Sequence, residues 1–437
     1  MTTNGFTIRN DLQDLISIGA FKTFAKKNGI DYHGVKVNVI RNIILAVRNE
    51  ELEETALRNF LKEQLWYGKN KHVFFIEAFG ETIEDFKYTE SLLEYFSNRG
   101  IQPFNNLDRL LLPDGSSLAR FEYDTNPLND SLINKVYLGF VEKNYTYHFV
   151  DQSPVFDAIN TYICIELDLT SNMVILKVRS QKSLKSTPDI NSNNVTANFL
   201  AKKYLEKLTQ EYGFEYLDGI AEEIKNTMFN IEKSLTSFIQ HQFQPKVIEH
   251  SALIKGFTTE VAQLLGLPSD DEPIDLHKRI MGLLERALIV NNEDVIKEYQ
   301  EGKIGYVNMF DFRDDKGGRI NARSKHKTVP IQTSDIFFDT RETINEVKLL
   351  DSLWVVWFMT INGDIEDAQL ELEVDSDDDD ESLDSDTEEV LEQGETKIIK
   401  VKTKIAAYKG FYKVEFKRYL TKEEYDHVLS TIESFKG

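Results

Sequence analysis

The amino-acid sequence predicts an α+β protein built from an N-terminal small helical bundle, a mostly antiparallel β-rich domain, a central helical region, and a C-terminal small sheet with a closing helix. Three observations predict it. Apolar residues recur at helical spacing over the first seventy residues and again from about 195 to 301, whereas they alternate with a period of two from about 71 to 185 and after 302. The links between the later strands of the first β-rich stretch are too short for helical crossovers, so its pairing is antiparallel. A chain of 437 residues is also roughly two to four times the usual domain length, so it divides into modules, 1–70, 71–185, 195–301 and 302–437.

The elements follow in order. Asn10 and Asp11 precede Leu12, Leu15, Ile16 and Phe21, a helical face that ends near Gly29. Val39, Ile40, Ile43 and Val47 mark a second helix, and Leu57, Phe60, Leu61 and Leu65 a third, enough for a small bundle. Strand patterns occupy 73–76, 118–123, 135–141 and 145–150, interrupted by a helix over 82–98, and the clearest hairpin joins 162–169 to 173–178 through Thr170, Ser171 and Asn172. Residues 186–194, rich in Ser, Asn, Asp and Pro, read as a linker. Beyond it, Ile224, Met228, Ile231, Leu235 and Phe238 alternate by four and three, a seam suited to a bundle interior or to a second copy of the chain. A turn at 267–273 offers Ser269 or Asp270 as the cap of a helix over 276–290. In the last module 328–338 reads as extended, 353–361 is the continuous apolar run of a buried strand, and 398–405 and 411–419 alternate. Thr421 and Glu424 then open a closing helix at capping-box spacing.

Charge is segregated. The formal net charge is −22, yet 364–395 alone carries 17 acidic residues and no Lys or Arg, leaving −5 for the rest. Like charges at neighbouring positions repel and few apolar residues offset the entropy of ordering, so this segment is expected to be a disordered acidic loop inserted between two strands. It lacks the glycine turn of a calcium loop. The strands that follow are basic, with Lys400, Lys402 and Lys404 on one face and Lys413 and Lys417 flanking Glu415. An acidic loop beside basic strands suggests shielding that a polyanion relieves. Further basic clusters are Lys177, Arg179, Lys182 and Lys185 after the hairpin, and Arg313, Lys316, Arg319, Arg323, Lys325 and Lys327 around Gly317 and Gly318. Such Lys/Arg clusters suit binding to phosphates.

The single cysteine, Cys164, rules out an intramolecular disulfide framework and a multi-thiolate zinc site, and its flanking isoleucines predict a buried side chain. One cysteine, an N-terminus without a signal-peptide pattern and no apolar stretch of membrane-spanning length together predict a cytoplasmic protein without a membrane partner. Lysine exceeds arginine 36 to 15, the bias of AT-rich coding DNA, which suggests a bacterial or mobile-element source. No nucleotide, dinucleotide, nucleophile-elbow or zincin motif is present, so neither a cofactor nor a metal is expected.

Three function classes follow. The first is a non-enzymatic binding or regulatory protein that engages protein or nucleic-acid partners through its basic loops. The second is a metal-dependent nuclease in which Asp364 and Glu415 hold a divalent ion and Lys417 stabilises charge at the attacked phosphate. The third is an oligomeric structural component of a host-defence complex, joined through the Ile224 to Phe238 seam.

Overall fold

The computed structural model describes residues 7–179, 184–267, 275–292, 302–313, 317–324, 329–361, 390–393 and 396–436. They fall into two compact units, the first drawn from 7–221 and 408–427 and the second from 222–361, 390–407 and 428–436. The chain is α+β throughout, and the pairings between its strands are antiparallel.

The first unit opens with helices α1 (Asn10–Leu15), α2 (Ile18–Lys27), α3 (Lys36–Arg48) and α4 (Glu54–Trp66). Strand β1 (His72–Phe79) leads to α5 (Glu81–Phe86) and α6 (Thr89–Ser97), then to β2 (Phe104–Asn105), β3 (Ser116–Asn126), β4 (Asn129–Val150), β5 (Ser153–Asp168) and β6 (Met173–Val178). Helix α7 (Ala197–Tyr212) and the short β7 (Glu215–Tyr216) complete this stretch. The sheet runs β2-β3-β4-β5-β6-β1 and is closed beyond β1 by β13 (Phe411–Phe416), which arrives from the far end of the chain.

Alternation along the strands divides the core into two layers. On one face Leu138, Phe140, Ile163, Ile165 and Leu176 pack with Phe86 and Phe96 of the short helices and with Leu200, Tyr204 and Leu208 of α7. On the other, Val141, Tyr162 and Cys164 pack with Phe21, Ile43, Leu61 and Trp66 of α1–α4. Residue 70 therefore marks a change of element type, while the N-terminal helices share a core with the sheet. Cys164 is fully buried, as its neighbours predict, and burial pushes its thiol up to about 12.

The second unit holds α8 (Ile220–Ile248), α9 (Ser251–Leu264), α10 (Leu276–Val290), β8 (Gly305–Arg313), β9 (Arg319–Arg323), a helix over Asp335–Val347, β10 (Ser352–Ile361), β11 (Val390–Gln393) and β12 (Thr396–Tyr408). Its sheet runs β12-β10-β8-β9, with β11 also on β12. The closing helix, Lys422–Glu433, opens with the expected capping box: the Thr421 amide donates to Glu424 at 3.0 Å and the Glu424 amide to Thr421 Oγ1 at 3.3 Å.

Several expectations are corrected. The helix over 82–98 is two helices, broken at Tyr88, whose extended backbone bridges to Leu132. The strands 135–141 and 145–150 are one strand, β4, paired along its length with β5. Residues 335–338, read as extended, begin a helix that buries Phe337, Thr340 and Ile344 at spacings of three and four. There the burial period overrides the strand preference of the Ile and Phe residues. Helix α10 is capped by Asp275, whose carboxylate accepts from the Lys278 amide at 2.8 Å; Ser269 and Asp270 lie outside the described residues. The acidic segment is also shorter than its charge suggests at its C-terminal end, because Val390–Gln393 already pairs with β12. Residues 362–389 lie outside the described residues.

A basic face on the second sheet

In an antiparallel ladder, directly paired residues share a face. The register pairs Trp354 with Lys404, Val356 with Lys402 and Phe358 with Lys400. It pairs Trp354 also with Met309 and Val356 with Tyr306, a bulge after Trp354 preserving the alternation. Met309 pairs with Arg323 and Arg313 with Arg319. Two basic clusters that are eighty residues apart in sequence, Arg313–Arg323 and Lys400–Lys404, thus lie on one face of one sheet. The opposite face is apolar and buried, with Leu353, Val355, Trp357, Phe310, Ala322, Val401 and Ile405, and Trp357 spends its indole N–H on Thr403 at 2.8 Å.

Aromatic rings are set among the cations. The Lys404 ammonium lies 4.6 Å from the centre of the Trp354 ring. Tyr306, Val356, Phe358 and Ile398 form a small apolar cluster on the same face, and Lys303 lies 5.9 Å from the rings of both Tyr306 and Phe358. Burial lowers the Lys303 ammonium to about 8. Among the described residues of these strands, the acid aligned on this face is Asp311, which is 2% exposed and bound by Arg319 through Nε at 3.0 Å. Arg313 and Arg319 remain about 70% and 68% exposed. Arg313 also lies 3.6 Å from Asp351. Lys316, Lys325 and Lys327 lie outside the described residues.

The other basic cluster does not form a surface. Lys177 is 1% exposed: Glu166 holds its ammonium at 3.2 Å, and the rings of Tyr67 and Tyr425 lie 4.5 and 4.2 Å away. Burial disfavours the charged Glu166, but Lys177 and Lys135 outweigh it and hold the carboxyl at about 2. Lys185 is buried and donates to the Ser192 carbonyl at 2.9 Å. Arg179 lines a cleft in the first unit, and Lys182 lies outside the described residues.

The nuclease candidates are not brought together by the described residues. Glu415 on β13 lies between Lys413, at 3.1 Å, and Lys417, with His72 at 3.6 Å. Burial opposes its charge, yet the two ammonium groups hold it at about 2. This carboxylate is an ion-pair partner flanked by cations, a poor start for a second cation. Burial, reinforced by Lys413, lowers His72 to about 4. Asp364 lies outside the described residues, among which no group of three or more His, Cys, Asp or Glu is placed to hold a metal.

The seam expected to join two copies is spent inside the chain, since Ile224, Met228, Ile231 and Leu235 are all at most 3% exposed. The side chain of Phe238 is not among those described. No helix of the described residues is long and apolar enough to cross a membrane. No protein-family model matches the chain, and no curated protein matches it significantly.

The sequence reading missed Trp354, Tyr306, Phe358 and Lys303. Trp354 and Phe358 sit in the apolar run 353–361 that reads as buried strand, and only the pairing with alternate lysines of β12 puts them on the basic face; Tyr306 joins that face through its pairing with Val356 of β10.

Proposed function

We propose that this chain is a non-enzymatic regulatory protein that binds nucleic acid, in single-stranded form, on the basic face of its second sheet. One observation carries the reading: six cationic side chains, Arg313, Arg319, Arg323, Lys400, Lys402 and Lys404, share that face with Trp354 in a chain of net charge −22. Selective placement of cations against the average charge is the footprint of a polyanion. A sheet face that sets the half-buried Trp354 ring among lysines favours unpaired bases, which can lie on the ring while the lysines follow the phosphates.

The acidic residues between β10 and β12 supply a competitor. Both strands carry the basic face, so the 17 acidic residues of 364–395 are tethered beside it at high effective concentration. In this reading the acidic segment occupies the lysines until a nucleic acid displaces it. Specificity arises because only a ligand with enough phosphates competes.

Fluorescence anisotropy with a labelled single-stranded oligonucleotide, titrated with the full chain over a salt series, tests this. The triple substitution K400Q/K402Q/K404Q is expected to weaken binding and to reduce the slope of log affinity against log salt by about 2, since each phosphate left without its lysine lowers the slope by about 0.7. Replacing 364–389 by a neutral linker is expected to tighten binding most at low salt. Equal affinity of the triple variant and the parent rejects the face as the site.

A further inference from the structure

We propose that the outer half of the β4–β5 hairpin is a self-association arm, whose uncharged face of Tyr147, Phe149, Pro154, Phe156 and Ala158 packs against the same face of a second copy. The two strands run on past their neighbours. Strand β3 reaches β4 only as far as Glu142, and β6 reaches β5 only as far as Ile163. The eight pairs from Lys143–Asn160 to Val150–Ser153 therefore form a two-stranded ribbon, about 27 Å long at the usual rise per residue. Among the described residues its lateral support is the bridge between Tyr145 and Lys185. Its root is fixed: Asn144 donates to Glu142 at 3.0 Å and to Thr161 at 2.9 Å, while Asn160 accepts from the Leu112 amide at 2.7 Å and donates to the Leu110 carbonyl at 3.0 Å. Its tip is Asp151 and Gln152, at φ +47° and +64°, a two-residue turn whose twist matches the paired strands.

Paired residues share a face, so the ribbon has two unlike sides. One sets Thr146, His148 and Val150 opposite Asp157, Val155 and Ser153, with His148 Nδ1 3.2 Å from Asp157. The other pairs Tyr145 with Ala158, Tyr147 with Phe156 and Phe149 with Pro154, and it has no charged residue. This side continues the column of Val141, Tyr162 and Cys164, which α1–α4 cover nearer the root. Further out the covering stops: Phe149 is 58% exposed, Pro154 and Ala158 are exposed, and the Tyr147 ring lies 5.8 Å from those of Phe149 and Phe156. A lone two-stranded hairpin is marginal in water and gains stability when such a face is packed. Charge selects the occupant. A nucleic acid finds no cation on this face, and a chain of net charge −22 with Asp151 at the tip opposes an anionic membrane. Two copies repel over most of their surface but meet here without like charges. The pattern also suits a two-fold axis, because Tyr147 and Phe156 lie midway between Tyr145 and Phe149 and between Ala158 and Pro154. Ribbons stacked in opposite directions place those two rings at the axis and turn each tip towards the partner's α1–α4 layer. A face about 27 Å by about 10 Å covers less than the roughly 800 Å² per partner of a stable interface, so the dimer is reversible and dissociates on dilution.

Sedimentation velocity of the full chain over a concentration series tests the arm, with a reversible monomer–dimer equilibrium expected. F149D places a charge at an exposed position of the face and is expected to weaken association at least tenfold while the unfolding temperature holds. V155D adds the same charge to the opposite side of the ribbon and is expected to associate as the parent does. A second measurement reads the geometry. Cys164 is fully buried, so a cysteine introduced on the ribbon is the reactive thiol, and packed sheet faces stand about 10 Å apart. A bis-maleimide of that span is expected to join F156C to its own copy and to leave V155C uncrosslinked. A monomer at every concentration overturns the proposal, as does association unchanged in F149D or crosslinking of V155C in preference to F156C.

Discussion

At the scale of single residues, buried charge gives the sharpest consequences. Glu232 on α8 is fully buried, and desolvation raises its carboxyl to about 7, against opposing help from a Thr236 hydrogen bond and the positive charges of Arg341 and Lys233. The unfolded chain ionises this group near its ordinary value, so the folded state binds the extra proton between about pH 4.5 and 7. Stability is therefore present at the lower end and lost as pH rises through that window, by about 3 kcal/mol in all. The substitution E232Q is expected to remove the loss, seen as a flatter pH dependence of urea unfolding followed by tryptophan fluorescence. Glu166 has the opposite sign: its carboxyl is depressed to about 2, so its contribution is present above about pH 4.5 and fades as pH falls towards 2. Breaking this buried pair is asymmetric. E166Q strands Lys177 in the core and is expected to cost about 3–5 kcal/mol in chemical denaturation. K177M is expected to cost less, because Lys135 still holds Glu166 at 2.6 Å.

At the scale of elements, the basic face depends on close packing of two strands. A Cβ on Gly305, at the start of β8, would lie 2.4 Å from the Val356 carbonyl oxygen, so β8 can approach β10 there only without a side chain. G305A is expected to destabilise the second unit by about 1–3 kcal/mol, read by the emission of Trp354 and Trp357, and to weaken oligonucleotide binding in parallel. Much of this scale is legible in the sequence. The helices over 37–47 and 276–290 and the 162–178 hairpin follow from burial period and turn residues, with Asn172 at φ +54° closing the hairpin. What is not legible is set by distant pairing. Lys177 looks like surface charge because its neighbours in sequence are basic, whereas Glu166 and the aromatic rings that enclose it come from other elements. The merger of Arg313–Arg323 with Lys400–Lys404 into one face similarly rests on β10, which stands between them and carries no charge pattern of its own.

At the scale of the whole molecule, chain order and spatial order part company. Strand β1 lies between β6 and β13, so residues 72–79 are flanked by partners about 100 and about 340 positions away. Four β1 residues, His72 to Phe75, pair with Tyr412 to Glu415, and Tyr425 covers the buried Lys177. A fragment ending at residue 221 exposes the β1 edge and uncovers that lysine, and such edges recruit foreign strands. The fragment is expected to aggregate, and a peptide spanning 408–427, added during refolding, is expected to restore a monomer by size-exclusion chromatography. The same arrangement has a meaning for biosynthesis. At about 5–20 residues per second, β13 emerges from the ribosome roughly 17–70 seconds after β1. For that interval the first unit waits with one strand unmatched, so a prematurely terminated polypeptide carries a visible mark of incompleteness for chaperones and proteases, and closure of β1 by β13 reports that translation has passed through the acidic segment and beyond.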